Sequence, residues 1–306
     1  MRRMNSRTLV LTHGCSLSNL PLFVAVGEGL FADEGLRVEA PYFDDIGSTA
    51  ELLATGVADL GTAGFTQPLI DACRPDPPIL VAGSGLMGVF VLTRDPVSDA
   101  AALAGHPVGT FRADPMEVLL HDVLAAAGLA TSDVEIRYFG VLEDAIEAFT
   151  AGELAALTLA EPYAGRVRAA GGHVLSDGTD VWGHPFPDTT LVASSRFLRE
   201  HPDHVRAAIR AMLRAYDLIV ADLPAAVRHA QKFFPGYRLD ELVDAVGRQP
   251  SMVDIRDLTA TVYGRWETLR SLGLVPADVD LPLHAVNLDL LNAELAARTT
   301  AKENAR

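Results

Sequence analysis

Thr8-Leu9-Val10-Leu11-Thr12-His13-Gly14-Cys15-Ser16, with the apolar segment over residues 19–31 and then Gly35-Leu36-Arg37-Val38-Glu39-Ala40, decides the fold class. A short run suited to a strand, a segment of helical length stopped by glycine and a second short run make a strand, a helix and the next strand. The pattern recurs at once, with a helix predicted over 48–55, Gly56 behind it and a strand over 58–63. Such alternation predicts an α/β architecture of mixed sheets flanked by helices.

Working outward, two apolar runs, Ile79-Leu80-Val81-Ala82 and Val89-Phe90-Val91-Leu92-Thr93, are separated by Gly83-Ser84-Gly85-Leu86-Met87-Gly88. The glycine-rich interval is the expected first crossing between two lobes. A second βα series follows, with strands expected over 107–111, 134–139 and 154–159 and helices over 115–127, 142–151 and 162–170. Gly183-His184-Pro185-Phe186-Pro187-Asp188 is dense in helix and strand breakers, and the strand-like run after it, 189–193, places the return crossing there. Residues 1–94 and 189–306 are therefore expected to form lobe 1, and residues 95–188 lobe 2. Beyond Ser195 the chain reads as helical over 195–201, 202–221, 224–234, 239–247, 255–272 and near 286–297, a tail expected to pack on the first lobe.

With 306 residues, 49% of them hydrophobic and 21% charged, the chain can bury the core of two lobes. Its 40 acids against 25 bases leave a formal charge of −15, which repels nucleic acid and anionic lipid. Lys232 and Lys302 are the only lysines, so Schiff-base chemistry lacks its residue and no cofactor is expected. Cys15 and Cys73 are too few for a disulfide scaffold, and no Cys/His spacing suggests a metal. No run reaches the roughly 18 apolar residues of a membrane helix. The basic start, Met1 to Arg7, runs straight into the first strand rather than into a secretory core, so the sequence reads as cytoplasmic, or as extracytoplasmic if a leader has been removed. A monomer is expected.

Several further segments occur in a telling order: Glu28-Gly29-Leu30-Phe31-Ala32-Asp33-Glu34-Gly35, Thr55-Gly56-Val57-Ala58-Asp59-Leu60-Gly61, Leu103-Ala104-Gly105-His106-Pro107-Val108-Gly109, Glu161-Pro162-Tyr163 and Phe197-Leu198-Arg199-Glu200-His201-Pro202. Over roughly residues 8–230 this series resembles the nitrate/sulfonate/taurine and thiamine-pyrimidine family of solute-binding proteins. The resemblance implies a type 2 periplasmic-binding fold, two mixed sheets joined by two crossovers with a helical tail. It also implies a small anionic or heteroaromatic ligand and, for an exported chain, an ABC permease as partner. Two enzyme branches share that fold. Where the pyrimidine-synthase branch needs a lysine and a histidine, this chain has Ala63 and Gln67. The aromatic-sulfinate desulfinase branch has a nucleophilic cysteine after the first strand, a placement similar to Cys15 with Asn19 four positions on. Its Arg-x-Gly-Gly element has no counterpart between Val57 and Cys73.

Ligands of open α/β sheets collect at the carboxyl ends of strands. The candidates there are His13, Cys15 and Ser16 after the first strand, then Asp44, Asp45, Gly47, Ser48 and Thr49 after the second, and Gly64, Phe65, Thr66 and Gln67 after the third. From the second lobe come Arg112, Asp114 and Glu161, with Asp188 at the return crossing. Gly47-Ser48-Thr49 either caps its helix or offers the same donors to an anion. Arg112 is either a bidentate clamp on a ligand or the partner of Asp114. Glu161-Pro162-Tyr163 either opens a helix or turns to the ligand. Cys15 is either a small filler of the cleft wall or a thiolate nucleophile with His13 as its partner. Trp182 and Phe186 supply either a stacking wall or hinge packing. The leading expectation is reversible binding of a small metabolite between the lobes. The alternatives are a cysteine-dependent sulfinate hydrolase or desulfinase-like lyase, and a cytosolic sensor.

Overall fold

The computed structural model describes residues 8–43, 45 and 47–304, so the candidate Asp44 lies outside the described residues. Two five-stranded mixed sheets are present. The first runs β2-β1-β3-β10-β4 and contains β1 (Thr8–Thr12), β2 (Arg37–Glu39), β3 (Leu60–Gly64), β4 (Pro78–Gly83) and β10 (Thr189–Ser194). The second runs β7-β6-β8-β5-β9 and contains β5 (Val89–Thr93), β6 (Pro107–Thr110), β7 (Glu135–Tyr138), β8 (Ala156–Ala160) and β9 (His173–Ser176). β1 is parallel to β2 and β3, and β10 returns antiparallel between β3 and β4.

Strands β4, β5, β8 and β10 are buried along their whole length. Helices cover both faces of such strands, which is why they read as unbroken apolar runs rather than alternating ones. The edge strand β7, Glu-Ile-Arg-Tyr, is mostly exposed and carries charge, as an unpaired edge requires. β9 was not among the expected strands: its His173 and Val174 face solvent, so the segment lacks the apolar signature of its neighbours.

The expected helix over 19–31 is divided. A 3-10 turn at Leu17–Asn19 precedes α1 (Leu20–Gly27), and Gly29 at φ 71° starts a separate turn, Leu30–Asp33. A residue in the left-handed region ends one helix before the next begins. α2 (Ser48–Ala54), α3 (Pro115–Ala126), α4 (Leu142–Thr150) and α5 (Tyr163–Ala169) follow their strands. Then come α6 (Pro202–Ala221), α7 (Leu223–Gln231) and α8 (Leu239–Arg248). The predicted helix over 255–272 is also broken: Thr259–Tyr263 is separated by Gly264 from α9 (Trp266–Ser271). Glycine and the β-branched Thr259, Thr261 and Val262 are weak helix formers. α10 spans Asp289–Asn304. Among the described residues no helix is long and apolar enough to cross a membrane.

The tail, expected to pack on the first lobe, reaches the second as well. α10 packs on α6 and β4, whereas α9 packs on α3. There Asp122 of α3 accepts hydrogen bonds from Arg265 (2.5 Å), Thr268 (2.7 Å) and Trp182 (2.7 Å). The chain changes sheets between Gly83 and Val89 and again between Ser176 and Thr189. At the first change Met87 and Gly88 have φ of 53° and 73°. A Cβ at Gly88 would lie 2.4 Å from Gln249 Cβ, and one at Gly85 2.3 Å from Ser18 Cβ, so glycine is required at both places.

Candidate functional site

Strands β1, β3, β6 and β8 aim their carboxyl ends at one half-open space between the sheets, a cavity of about 80 Å³. Gly14, Cys15, Ser16 and Asn19 form its wall after β1, and Thr62, Ala63 and Gly64 the wall from β3. Asp45, Gly47 and Thr49 close one side. The second lobe contributes Asp114, Pro115 and Met116 at the start of α3, together with Leu142 and Ala160; Val89, expected in lobe 1, opens β5 of the second sheet and lines the cavity from that side as well. Asp188 and Thr189 belong to the return crossing.

The two lobes touch around this space. Leu17 N–H donates to the Glu161 carbonyl at 3.3 Å, and Asp45 forms an isolated antiparallel bridge with Val141. A Cβ at Gly64 would stand 2.5 Å from Pro115 Cδ, which shows how closely β3 meets α3.

Ser16 caps the 3-10 turn by accepting from Ser18 N–H. Its hydroxyl donates to Gln249 Oε1 at 3.1 Å. Gln249 is fully buried at the end of α8, and its Nε2 donates to Asp188 Oδ2 at 3.0 Å and to the Met87 carbonyl at 3.3 Å. Thr189 Oγ1 donates to the same Asp188 oxygen at 3.2 Å and lies 2.7 Å from Ser18 Oγ. A closed polar ring thus ties the loop after β1, both changes of sheet and the tail. Asn19 accepts from Thr62 Oγ1 and donates to the Ser16 carbonyl at 3.0 Å, fixing the opposite wall.

Two carboxyls in this wall are held well above the ordinary carboxylate range. Asp114 caps α3 by accepting from Met116 N–H at 2.9 Å. Burial, and then the negative charges of Asp188 and Glu117, push its pKa up to about 7 despite that hydrogen bond. Burial likewise pushes Asp188 up to about 6, against hydrogen bonds from Ser18, Thr189 and Gln249.

Of the residues singled out in the sequence, Cys15, Ser16, Asp45, Gly47, Thr49, Gly64, Asp114 and Asp188 line the cavity. Cys15 is 3% exposed, and neither cysteine is in a disulfide. The others point elsewhere. Ser48 donates its hydroxyl to Asp45 Oδ2. Phe65 is buried edge-on against Trp182 at 5.5 Å, and Trp182 meets Phe186 at 5.0 Å, so these rings pack the region of the return crossing. Thr66 is buried beyond the cavity lining. His13 is 1% exposed and enclosed by Phe23 and Phe233 at 5.1 Å and Tyr42 at 5.7 Å, and this burial lowers its pKa.

Arg112 stands at the margin. Its side chain is 56% exposed, donates to Tyr138 Oη at 3.0 Å and lies 3.7 Å from Glu117. With Gln67 and Asp114 it edges an adjoining recess of about 50 Å³. Glu161 is fully buried but turns from the cavity: Arg168 donates to it at 2.6 Å and Gly165 N–H at 3.0 Å. Asn19, Thr62, Met116, Leu142, Thr189 and Gln249 were not among the site residues singled out. The polar Thr62 inside an apolar strand was a local signal for one of them, whereas Gln249 reaches Ser16 across 233 positions and had none.

Residues 17–226 match the family model described as NMT1/THI5 like. No curated protein matches the chain. Among solved structures, the periplasmic aliphatic sulphonate binding protein SsuA of Escherichia coli is similar, with 19% identity over 92% of this chain and 97% of that one and a TM-score of 0.77. The periplasmic nitrate-binding protein NrtA of Synechocystis PCC 6803 is similar at 16% identity over 95% and 88% of the two chains, with a TM-score of 0.80. A cysteine-to-serine mutant of DSZB in complex with biphenyl-2-sulfinic acid is similar at 19% identity over 95% and 99%, with a TM-score of 0.67. All three have the fold described above.

Proposed function

The chain belongs to the NMT1/THI5-like family, and from that premise we propose that it is a two-lobed receptor that closes on a small metabolite, as the substrate-binding component of an ABC-type importer. The observation that carries this reading is the cavity itself, lined by loops from both lobes and by the return crossing. A guest that contacts Asn19 and Thr62 on one side and Met116 on the other binds only when the lobes meet. Its binding energy therefore shifts an open–closed equilibrium toward the closed form. A permease that recognises the closed arrangement then distinguishes loaded receptor from empty.

A thermal-shift screen over taurine, alkanesulfonates, sulfinates, nitrate, pyrimidines and small amines tests the reading. A guest at 100 times its Kd adds about 2.7 kcal/mol of stability. Small-angle scattering on the same samples reads compaction. A stabilising guest that leaves the radius of gyration unchanged and is insensitive to changes in the cavity wall overturns lobe closure.

A second reading, a cysteine enzyme on this fold, is favoured by one observation: Cys15 lines the cavity. Against it, the ring of His13 is surrounded by aromatic side chains, with its Nδ1 3.2 Å from the Gly14 carbonyl. The pH profile of Cys15 alkylation separates the two, since a catalytic thiolate reacts well below pH 8.

A further inference from the structure

Charge names the guest more closely, on the premise that the cavity is where it binds. Asp45, Asp114 and Asp188 line that space, and no arginine, lysine or histidine does among the described residues. Asp114 feels only the negative Asp188 and Glu117 as neighbouring charges. Asp188 is 5% exposed, and its partners Ser18, Thr189 and Gln249 are all neutral. Three buried or half-buried acids elsewhere have cations beside them: Glu161 has Arg168 at 2.6 Å, Asp122 has Arg265 at 2.5 Å and Asp71 has Arg74 at 2.7 Å. A buried carboxylate without a counter-ion is costly. Among the described residues the cavity wall holds no such cation, and a positive charge entering the cavity would supply one.

The same wall is poorly built for an anion. The amino end of α3 is the obvious anion position, but Asp114 accepts from Met116 N–H there and Glu117 takes the Ala113 N–H at 2.6 Å. The protein's own acids occupy those donors. The second oxygen of Asp114 accepts no hydrogen bond from any described residue. The nearby guanidinium, Arg112, is held outside by Tyr138 and Glu117.

A bare metal ion is not indicated, because no three carboxylate, imidazole or thiol groups converge as metal ligands do among the described residues. Val89, Met116, Leu142 and Ala160 make part of the wall apolar, which suits a short alkyl group or a small ring. We propose that the guest is a small organic cation, an ammonium or amidinium, held between Asp114 of the second lobe and Asp188 of the return crossing, with its apolar part against Met116 and Leu142. Such a cation joins one lobe to the hinge and so favours closure directly.

Four ions of similar size test the sign: acetamidinium, methylammonium, methanesulfonate and nitrate, each at 10 to 50 mM or so and constant ionic strength at pH 8. Acetamidinium or methylammonium is expected to raise Tm by about 2 °C or more, and the two anions to leave it unchanged. Asp114→Asn, which keeps the shape and an acceptor for Met116 N–H, should abolish the rise. Stabilisation by nitrate or methanesulfonate and not by the cations overturns the charge assignment while leaving the cavity a binding site. A cation effect that survives in Asp114→Asn overturns the proposal. No response to any of the four overturns this inference, while the binding reading beneath it is decided by the wider screen above.

Discussion

Gln249 Nε2 donates to Asp188 Oδ2 at 3.0 Å, so a residue of the tail holds a carboxylate of the cavity wall. The same amide reaches Ser16 in the loop after β1 and Met87 within the first change of sheet. Replacing Gln249 with Leu removes three hydrogen bonds and leaves the buried Asp188 carboxylate with only Ser18 and Thr189 as donors. The expected loss is about 2–4 kcal/mol of stability, read by urea unfolding. A loss below about 0.5 kcal/mol would contradict the ring of bonds described here.

Asp114 and Asp188 set the pH dependence of stability. Both carboxyls ionise in the folded protein well above the ordinary value of 3.8, at about 7 and about 6. Between those limits the folded state holds more protons than the unfolded one, so stability falls as pH rises from about 4 to about 8. The lowered pKa of buried His13 works oppositely, removing stability as pH falls below its ordinary 6.5. The difference between wild type and Asp114→Asn isolates the carboxyl: the variant should gain relative stability steadily as pH rises through 7. A pH-independent difference in Tm between the two would refute the assignment.

Glu161 belongs to the framework and not to the guest. Glu161→Ala leaves Arg168 without its partner in a protein interior and should cost about 3 kcal/mol. The guest's preference among ions, scaled to the folded fraction, should stay the same. Altered selectivity at constant stability would return Glu161 to the cavity.

Gly64 is where β3 meets Pro115 of the opposite lobe, and its backbone is not in the left-handed region. Alanine is therefore permitted by the backbone but wedges the lobes apart. Gly64→Ala should weaken guest binding on the order of tenfold, about 1.4 kcal/mol, and raise the radius of gyration of the loaded form. Its unfolding midpoint without guest should move little. Unchanged affinity would show that closure does not need this contact.

Much of the architecture could be read directly because it rests on local pattern. β4, β5, β8 and β10 are buried on both faces, and their apolar runs announced them. At Gly29, in the left-handed region, the helix stops although the amphipathic periodicity runs on; at Gly264 the backbone keeps right-handed angles (φ −61°) and the interruption is only a turn. Within the site, strand ends pointed to the right loops, since Cys15 and Gly64 follow β1 and close β3. Side-chain direction was not legible. Glu161 and Asp114 are both acids at helix starts in the second lobe, yet one faces Arg168 and the other the cavity. That choice depends on where an arginine seven residues along α5 comes to lie, a tertiary fact.

The docking of α9 onto α3 through Asp122, while α10 stays on β4, makes the last forty or so residues a tether across the jaws. How widely the empty protein can gape is then governed by the slack in that strap as much as by the two connecting strands. Evolution could retune the range of opening, and with it the exchange rate of cargo, by editing the strap while leaving every lining residue untouched.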